Sequence, residues 1–171
     1  MQSVTDDAAA MKLTLSILLL LLASNDVFTE ELGEQYSFAN VSYQESAGWK
    51  ANTAPDARFI YGEDSAQQFA DLRIPSTKAP PDGHPVIVFI HGGGWRSEWS
   101  KNYTEAFVEA LAAQGFATCD LEFRRIGHRG GGYPGTFEDV ADGADHLKSI
   151  AASHMLNLDK VIVIGHSSGG H

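Results

Sequence analysis

The sequence predicts an α/β fold on a mostly parallel, doubly wound sheet, and three observations predict it. Short apolar, β-branched runs such as Val86 to Ile90 and Val161 to Ile164 have the pattern of strands buried on both faces. Stretches of helical period separate these runs, and short connections between strand and helix call for right-handed crossovers. Glycine-rich loops hang on the ends of two strands, at His91-Gly92-Gly93-Gly94-Trp95 and Gly165-His166-Ser167-Ser168-Gly169.

Taken in order, Gln68 to Ile74 reads as an early strand, and Pro80-Pro81-Asp82-Gly83 as a turn into the strand from Val86 to Ile90. A helix from about Tyr103 to Gln114 presents Phe107, Val108 and Leu111 and stops at Gly115. Phe116 to Phe123 is the next strand. Phe137, Val140, Ala141, Ala144, Leu147, Ile150 and Ala151 then form one helical stripe, with Thr136 as its cap and Glu138 and Asp139 in its first turn. That stripe is expected to bury against the sheet. Val161 to Ile164 closes the series.

A sharp turn must follow Ile164. In G-x-S-x-G the serine takes a strained backbone conformation that lifts its hydroxyl clear of the sheet, and glycines two before and two after remove the Cβ atoms that would crowd it. Ser167 is the candidate nucleophile. Three fixed positions recur by accident in about one chain in twenty of this length, so the preceding strand and the second glycine loop carry the weight. Acyl transfer places negative charge on the former carbonyl oxygen, and fixed N–H donors stabilise it in a water-poor site. Bare backbone at Gly93 and Gly94 can approach that oxygen, and the Ser168 N–H completes an oxyanion hole, helped by the amino end of the following helix. His91 and Trp95 hold and cover the loop rather than serve as a base.

On these residues the chain resembles the α/β-hydrolase superfamily, especially its esterase and lipase branch and the related kynurenine formamidase-like proteins. Leu121-Glu122-Phe123-Arg124-Arg125 followed by Tyr133-Pro134-Gly135-Thr136-Phe137-Glu138-Asp139-Val140 is similar to that branch's Asp-Tyr-Arg strand end and proline-led helix, with Glu122 and Phe123 in place of Asp and Tyr. The likeness covers roughly residues 60 to 171. It implies a sheet of the α/β-hydrolase type, truncated after the nucleophile elbow, and a Ser, acid, His order along the chain.

Other glycine patterns lead elsewhere. Gly165 to Gly170 has the spacing of a P-loop, but His171 stands where its lysine must be. Gly130-x-Gly132-x-x-Gly135 matches a dinucleotide fingerprint after a strand and before a helix. The next strand ends without an acid to hold a ribose, and Pro134 sits inside the turn. A turn carrying the chain across the top of the sheet accounts for it. His84, His91, His128, His146, His154, His166 and His171 form no H-E-x-x-H pair, so neither metal nor cofactor is expected. His171, on the helix after the elbow, is expected to point away from the Ser167 hydroxyl, and His166 to pack beside the site.

Leu13 to Ala23 has the length of a signal-peptide core and is too short for a comfortable membrane span. Asp6 and Asp7 precede it when the chain starts at Met1; from Met11 only Lys12 does, which suits a positively charged leader. Residues 1–24 are accordingly read as a signal peptide with Met11 as the working start. Residues 25–58 are a polar lead-in and 59–171 the amino-terminal part of the hydrolase domain, in a secreted or periplasmic protein. Cys119 is alone in an apolar strand, a buried thiol. Asn40-Val41-Ser42 and Asn102-Tyr103-Thr104 are glycosylation acceptors only if a eukaryotic host exports the chain. Net charge is −10; losing Asp6, Asp7 and Lys12 with the leader leaves −9. That balance disfavours nucleic acid and anionic membranes as partners.

The expected activity is a serine hydrolase of small-molecule carboxylic esters through an acyl-enzyme on Ser167, with formamide or peptide-like amides as the alternative substrates. The pattern places only the first part of a larger sheet in 171 residues, with the last strand central. A fragment, splice product or truncated gene model is therefore expected, in which the triad acid and histidine are missing. The competing expectation is a non-catalytic product acting through binding.

Overall fold

The computed structural model describes residues 50–171. The signal segment at 1–24, the Met11 start, the Leu13 to Ala23 run, the acceptor at Asn40 and most of the 25–58 lead-in lie outside the described residues. Among those described, no helix is long and apolar enough to cross a membrane.

Five strands, β1 (Ala57–Ile60), β2 (Phe69–Arg73), β3 (His84–Ile90), β4 (Ala117–Leu121) and β5 (Leu156–Gly165), form one sheet in the order β1-β2-β4-β3-β5. Helix α1 (Glu105–Ala113) links β3 to β4, and α2 (Gly135–Ile150) links β4 to β5. Both β4 and β5 run parallel to β3, one on each side of it. The two crossovers leave in opposite directions, so a shared right hand sets their helices on opposite faces. Strand alternation agrees. Val86 and Val88 join Ala70, Leu72, Ala117, Cys119, Leu121 and Leu147 of α2 in one core, whereas the Phe89 ring lies 5.1 Å from Phe107 of α1. Thr118 donates across that second face to the Val108 carbonyl at 3.3 Å.

The expected α/β fold is present, but its sheet is mixed. β1 pairs antiparallel with β2, and β2 antiparallel with β4. The links at 61–68 and 74–83 carry no helix, and a parallel return needs a crossover of a dozen or more residues. β1 straddles the expected boundary between lead-in and domain at 58/59, where no strand is expected from the sequence. It begins at Ala57, and just before it the backbone N–H groups of Asn52 and Thr53 donate to Glu109 of α1 at 2.8 Å each.

Two other expectations shift. Pro134, not Thr136, occupies the cap of α2; Thr136 lies in the first turn and donates to the Arg124 carbonyl at 2.6 Å. The buried face of α2 is Thr136, Asp139, Gly143 and Leu147, while Phe137 and Ala141 of the expected stripe are exposed. Asp139 is drawn inward because it holds the Arg124 guanidinium at 2.7 and 2.8 Å and accepts from Gln68 at 2.7 Å. Gly143 faces Leu121 and Tyr61 closely enough that a Cβ would press on both.

Beneath α1 sits a buried charge cluster. Lys101, 2% exposed, pairs with Asp71 at 2.7 Å, Glu105 at 3.2 Å and Asp120 at 3.6 Å, and Arg58 reaches Asp71 from outside at 2.6 Å. Thr104 donates to Asp120 at 2.8 Å. Burial pushes the Asp120 carboxyl up to about 7 against the pull of Lys101 and Thr104. Between pH 4 and about 7 the folded chain then keeps a proton on Asp120 that the unfolded chain has lost. Asp120 therefore contributes stability on the acid side that is lost as pH rises through that window. Asp120→Asn is expected to gain stability relative to the parent between pH 4.5 and 7.5, by at most about 1.4 kcal/mol per pH unit. Urea midpoints across that range test this; parallel pH profiles would refute it.

Candidate active site

β3 and β5 end side by side, with Ile90 opposite Gly165 in the parallel register. The two glycine loops therefore leave the sheet together at its carboxyl edge. Ser167 sits in the turn after β5 at φ 52°, the left-handed region where a side chain is strained. The space at that turn is accounted for by glycine. A Cβ on Gly165 would strike the Gly169 carbonyl oxygen, and one on Gly169 the Ile90 carbonyl oxygen, with His91 O at 2.7 Å. The Gly169 N–H donates to His166 O at 2.8 Å, and the His166 N–H to Ile90 O at 3.0 Å.

The first loop packs on this elbow. A Cβ on Gly92 would meet His166 O at 2.7 Å and the Ser167 Cβ at 2.9 Å, a distance no substituted residue tolerates. The loop then runs through left-handed backbone at Gly93 (φ 119°), Gly94 (φ 60°) and Trp95 (φ 59°). Gly93 lies against Trp99, whereas nothing stands within 4 Å of a Cβ at Gly94. The Trp95 N–H reaches Ser168 Oγ at 3.4 Å. The stretch bearing Gly93 and Gly94 is thus tied to the elbow at both ends, by Gly92 and Trp95.

His91 is fully buried and serves the loop. Its Nε2 lies 2.7 Å from Arg125 Nη1 and 3.3 Å from Glu122 Oε1, and Arg125 also contacts Glu122. A guanidinium only donates. Nε2 therefore accepts, leaving the Nδ1 proton for the Gly92 carbonyl at 2.7 Å. The Phe123 ring stacks on His91 at 4.4 Å. This matches the structural role expected of His91, and it gives Glu122 and Arg125, known from the sequence only as part of a strand-end motif, a role in holding that ring.

After Ser167 the chain makes a four-residue 3-10 turn, Ser167–Gly170. An α-helix was expected there, with His171 on it. The His171 ring meets Trp95 at 5.4 Å and Phe137 at 5.9 Å, edge to face. Among the described residues no hydrogen bond joins it to Ser167. The Gly130 to Gly135 turn is filled by its own backbone: a Cβ on Gly135 would strike the Gly130 carbonyl, and one on Gly131 the Arg125 carbonyl.

The BD-FAE family model matches residues 70–171, from β2 to the end of the elbow. The chain belongs to the BD-FAE family. Esterase LipC of Mycobacterium tuberculosis is 30% identical over 121 residues, covering 67% of this chain and 27% of LipC. Esterase B from Lactobacillus rhamnosis, in a tributyrin phosphonate-inhibited structure, is 27% identical with a TM-score of 0.55, covering 70% of this chain and 39% of esterase B. A bifunctional GH43-CE protein of Bacteroides eggerthii gives 25% identity and a TM-score of 0.58, covering 70% of this chain and 17% of that one. The esterase and lipase branch of the α/β-hydrolases expected from the motifs is therefore the right one. This BD-FAE chain spans well under half the length of these relatives.

Proposed function

We infer that the chain carries the nucleophile and oxyanion elements of a carboxylic ester hydrolase. Ser167 Oγ attacks the ester carbonyl, forming the acyl-oxygen bond and expelling the alcohol; water then cleaves the acyl-enzyme to the acid and free serine. Gly93, Gly94 and Ser168 supply N–H donors to the tetrahedral oxyanion. The carrying observation is the left-handed Ser167 at the tip of β5 with Gly92 packed against it. The chain order implied by the resemblance puts the activating acid and histidine after Ser167. His171 already turns its ring to Trp95 and Phe137, so the reading assigns neither role to it. Esters fit ahead of amides because LipC and esterase B are named esterases.

The test is labelling by a fluorophosphonate, with the adduct located by peptide mass spectrometry. Fluoride should leave as the Ser167 Oγ–P bond forms, and Ser167→Ala should remove the label completely. A folded chain whose Ser167 stays unlabelled while other serines react would overturn the assignment.

A further inference from the structure

We propose that Tyr103 is a positioning residue that locks the oxyanion loop to the nucleophile elbow through a phenol bridge from the Gly92 N–H to His166 Nδ1. Its hydroxyl accepts from the Gly92 N–H at 2.6 Å and lies 2.9 Å from His166 Nδ1. Gly92 opens the loop expected to bear the oxyanion donors, and His166 immediately precedes Ser167. One phenol oxygen therefore touches both halves of the site, and its ring sits edge-on to His91 at 6.3 Å and tilted against His166 at 5.7 Å.

The bridge has a direction. A phenol oxygen that accepts from Gly92 has its own proton to give, and His166 Nδ1 stands within reach to accept it. Burial first, and the neighbouring His91 second, push His166 below its ordinary range, which favours the neutral ring that can accept. The His166 tautomer is then set with its proton on Nε2. His91 holds the Gly92 carbonyl from the other side at 2.7 Å. Both polar groups of Gly92 are thereby engaged, which keeps its N–H out of the oxyanion hole and leaves that task to Gly93, Gly94 and Ser168.

Tyr103 is itself held from below. It lies in the 3-10 turn Lys101–Thr104, opened by the Ser100 hydroxyl, which accepts from the Asn102 N–H at 3.5 Å. The Lys101 N–H donates to Glu122 Oε2 at 3.1 Å, the Lys101 ammonium pairs with Asp71 and Asp120, and Thr104 holds Asp120. The buried cluster of the fold thus clamps the residues on both sides of Tyr103. It fixes where the phenol stands.

The effect on rate rests on Ser167 being the nucleophile; the bridge itself does not. The experiment is therefore run on the full chain with two readouts, in the parent, Tyr103→Phe, His166→Leu and the double variant, each checked for folding by circular dichroism. Imidazole nitrogen NMR should show His166 of the parent as one neutral tautomer protonated at Nε2, and Tyr103→Phe should give a mixture. Deuterium exchange at the Gly92 amide should quicken about fivefold or more, the worth of one hydrogen bond. Fluorophosphonate labelling of Ser167 should slow about tenfold in either single variant, less than the 100- to 1,000-fold lost with a direct oxyanion donor. The double variant should be no slower, because both substitutions break one bridge. Unchanged His166 and Gly92 signals in Tyr103→Phe would overturn the bridge, and additive slowing would overturn its positioning role. If Ser167 is unreactive in the parent, the hydrolase reading fails and the spectra alone decide the bridge. If Tyr103→Phe does not fold, a mixed or Nδ1-protonated His166 tautomer in the parent refutes it.

Discussion

Replacing Lys101 with methionine is expected to cost about 3–5 kcal/mol at pH 8, the penalty for removing one partner of a buried ion pair. Methionine fills nearly the same volume, so the loss isolates the charge. Asp71 keeps Arg58 at 2.6 Å, but among the described residues Asp120 keeps only the Thr104 hydroxyl at 2.8 Å and no cation. Asp120 already titrates near 7 with Lys101 present, because burial outweighs the attraction. Without Lys101 its folded value climbs further, and the added destabilisation grows as pH rises from about 7, where the folded parent begins to release the Asp120 proton, toward that higher value. The loss should therefore be smaller at pH 5, where the folded parent and variant both hold the Asp120 proton, than at pH 8, where the parent ionises beside Lys101 and the variant lacks that cation. Lys101→Met with Asp120→Asn should recover part of the deficit at pH 8, by an amount that a double-mutant cycle isolates. Urea denaturation at the two pH values is the measurement. A loss under 1 kcal/mol, or one that ignores pH, would show that the cluster does not hold the structure together.

Nothing in the local pattern announced that cluster. Asp71 and Asp120 sit in runs that read simply as strands, and Lys101 falls before the expected helix start at Tyr103. Strand alternation sends Asp71, Arg73, Thr118 and Asp120 to the α1 face, and only the long-range pairing of β2 with β4 brings Asp71 opposite Asp120. A charged residue inside an apolar run is a legible anomaly, but its partner is not, because the partner is chosen by topology. The rotation of α2 has the same origin. Its apolar residues define a face through Phe137 and Ala141, yet the side that turns inward carries the Asp139 carboxylate, bonded by the Arg124 guanidinium and backbone N–H. The buried Asp139 carboxylate has its oxygens satisfied there by charge-assisted bonds from Arg124 and by the Gln68 amide.

More of the site was readable than of its supports. The G-x-S-x-G turn and the glycine loop at the end of β3 depend on backbone conformation, and glycine spacing reports that directly. Ser167 at φ 52° and the left-handed Gly93 and Gly94 follow from it. Tyr103, Glu122 and Arg125 do not, because their contacts with the two glycine loops span 11 to 63 positions in the chain. β5 shows the remaining limit. Its apolar run reads as a central strand, and among the described residues it lies at the sheet edge, with Val161, Ile162 and Val163 exposed by 41%, 49% and 61%. Hydrophobicity shows that a surface is suited to burial without saying what buries it.

Gly169→Ala is expected to slow Ser167 labelling by at least about 100-fold, the cost of shifting reacting groups by roughly 1 Å. The added methyl would lie on the Ile90 carbonyl oxygen and 2.7 Å from His91 O. Both obstacles are backbone, held by β3 pairing and by the buried His91, so no rotamer change relieves the clash. The elbow must move instead, and the His166 N–H to Ile90 O bond at 3.0 Å stretches with it. Overpacking of this kind costs about 1–3 kcal/mol, small enough for the variant to fold and be tested. Gly170→Ala is the comparison, since its methyl would meet Gly165 O no closer than 3.3 Å and Gly165 C at 3.8 Å; its labelling is expected within about threefold of the parent, a shift under 1 kcal/mol. Equal labelling of the Gly169 and Gly170 variants would mean that the elbow tolerates displacement from β3. Ser167 would then not depend on the tight packing between the two loops.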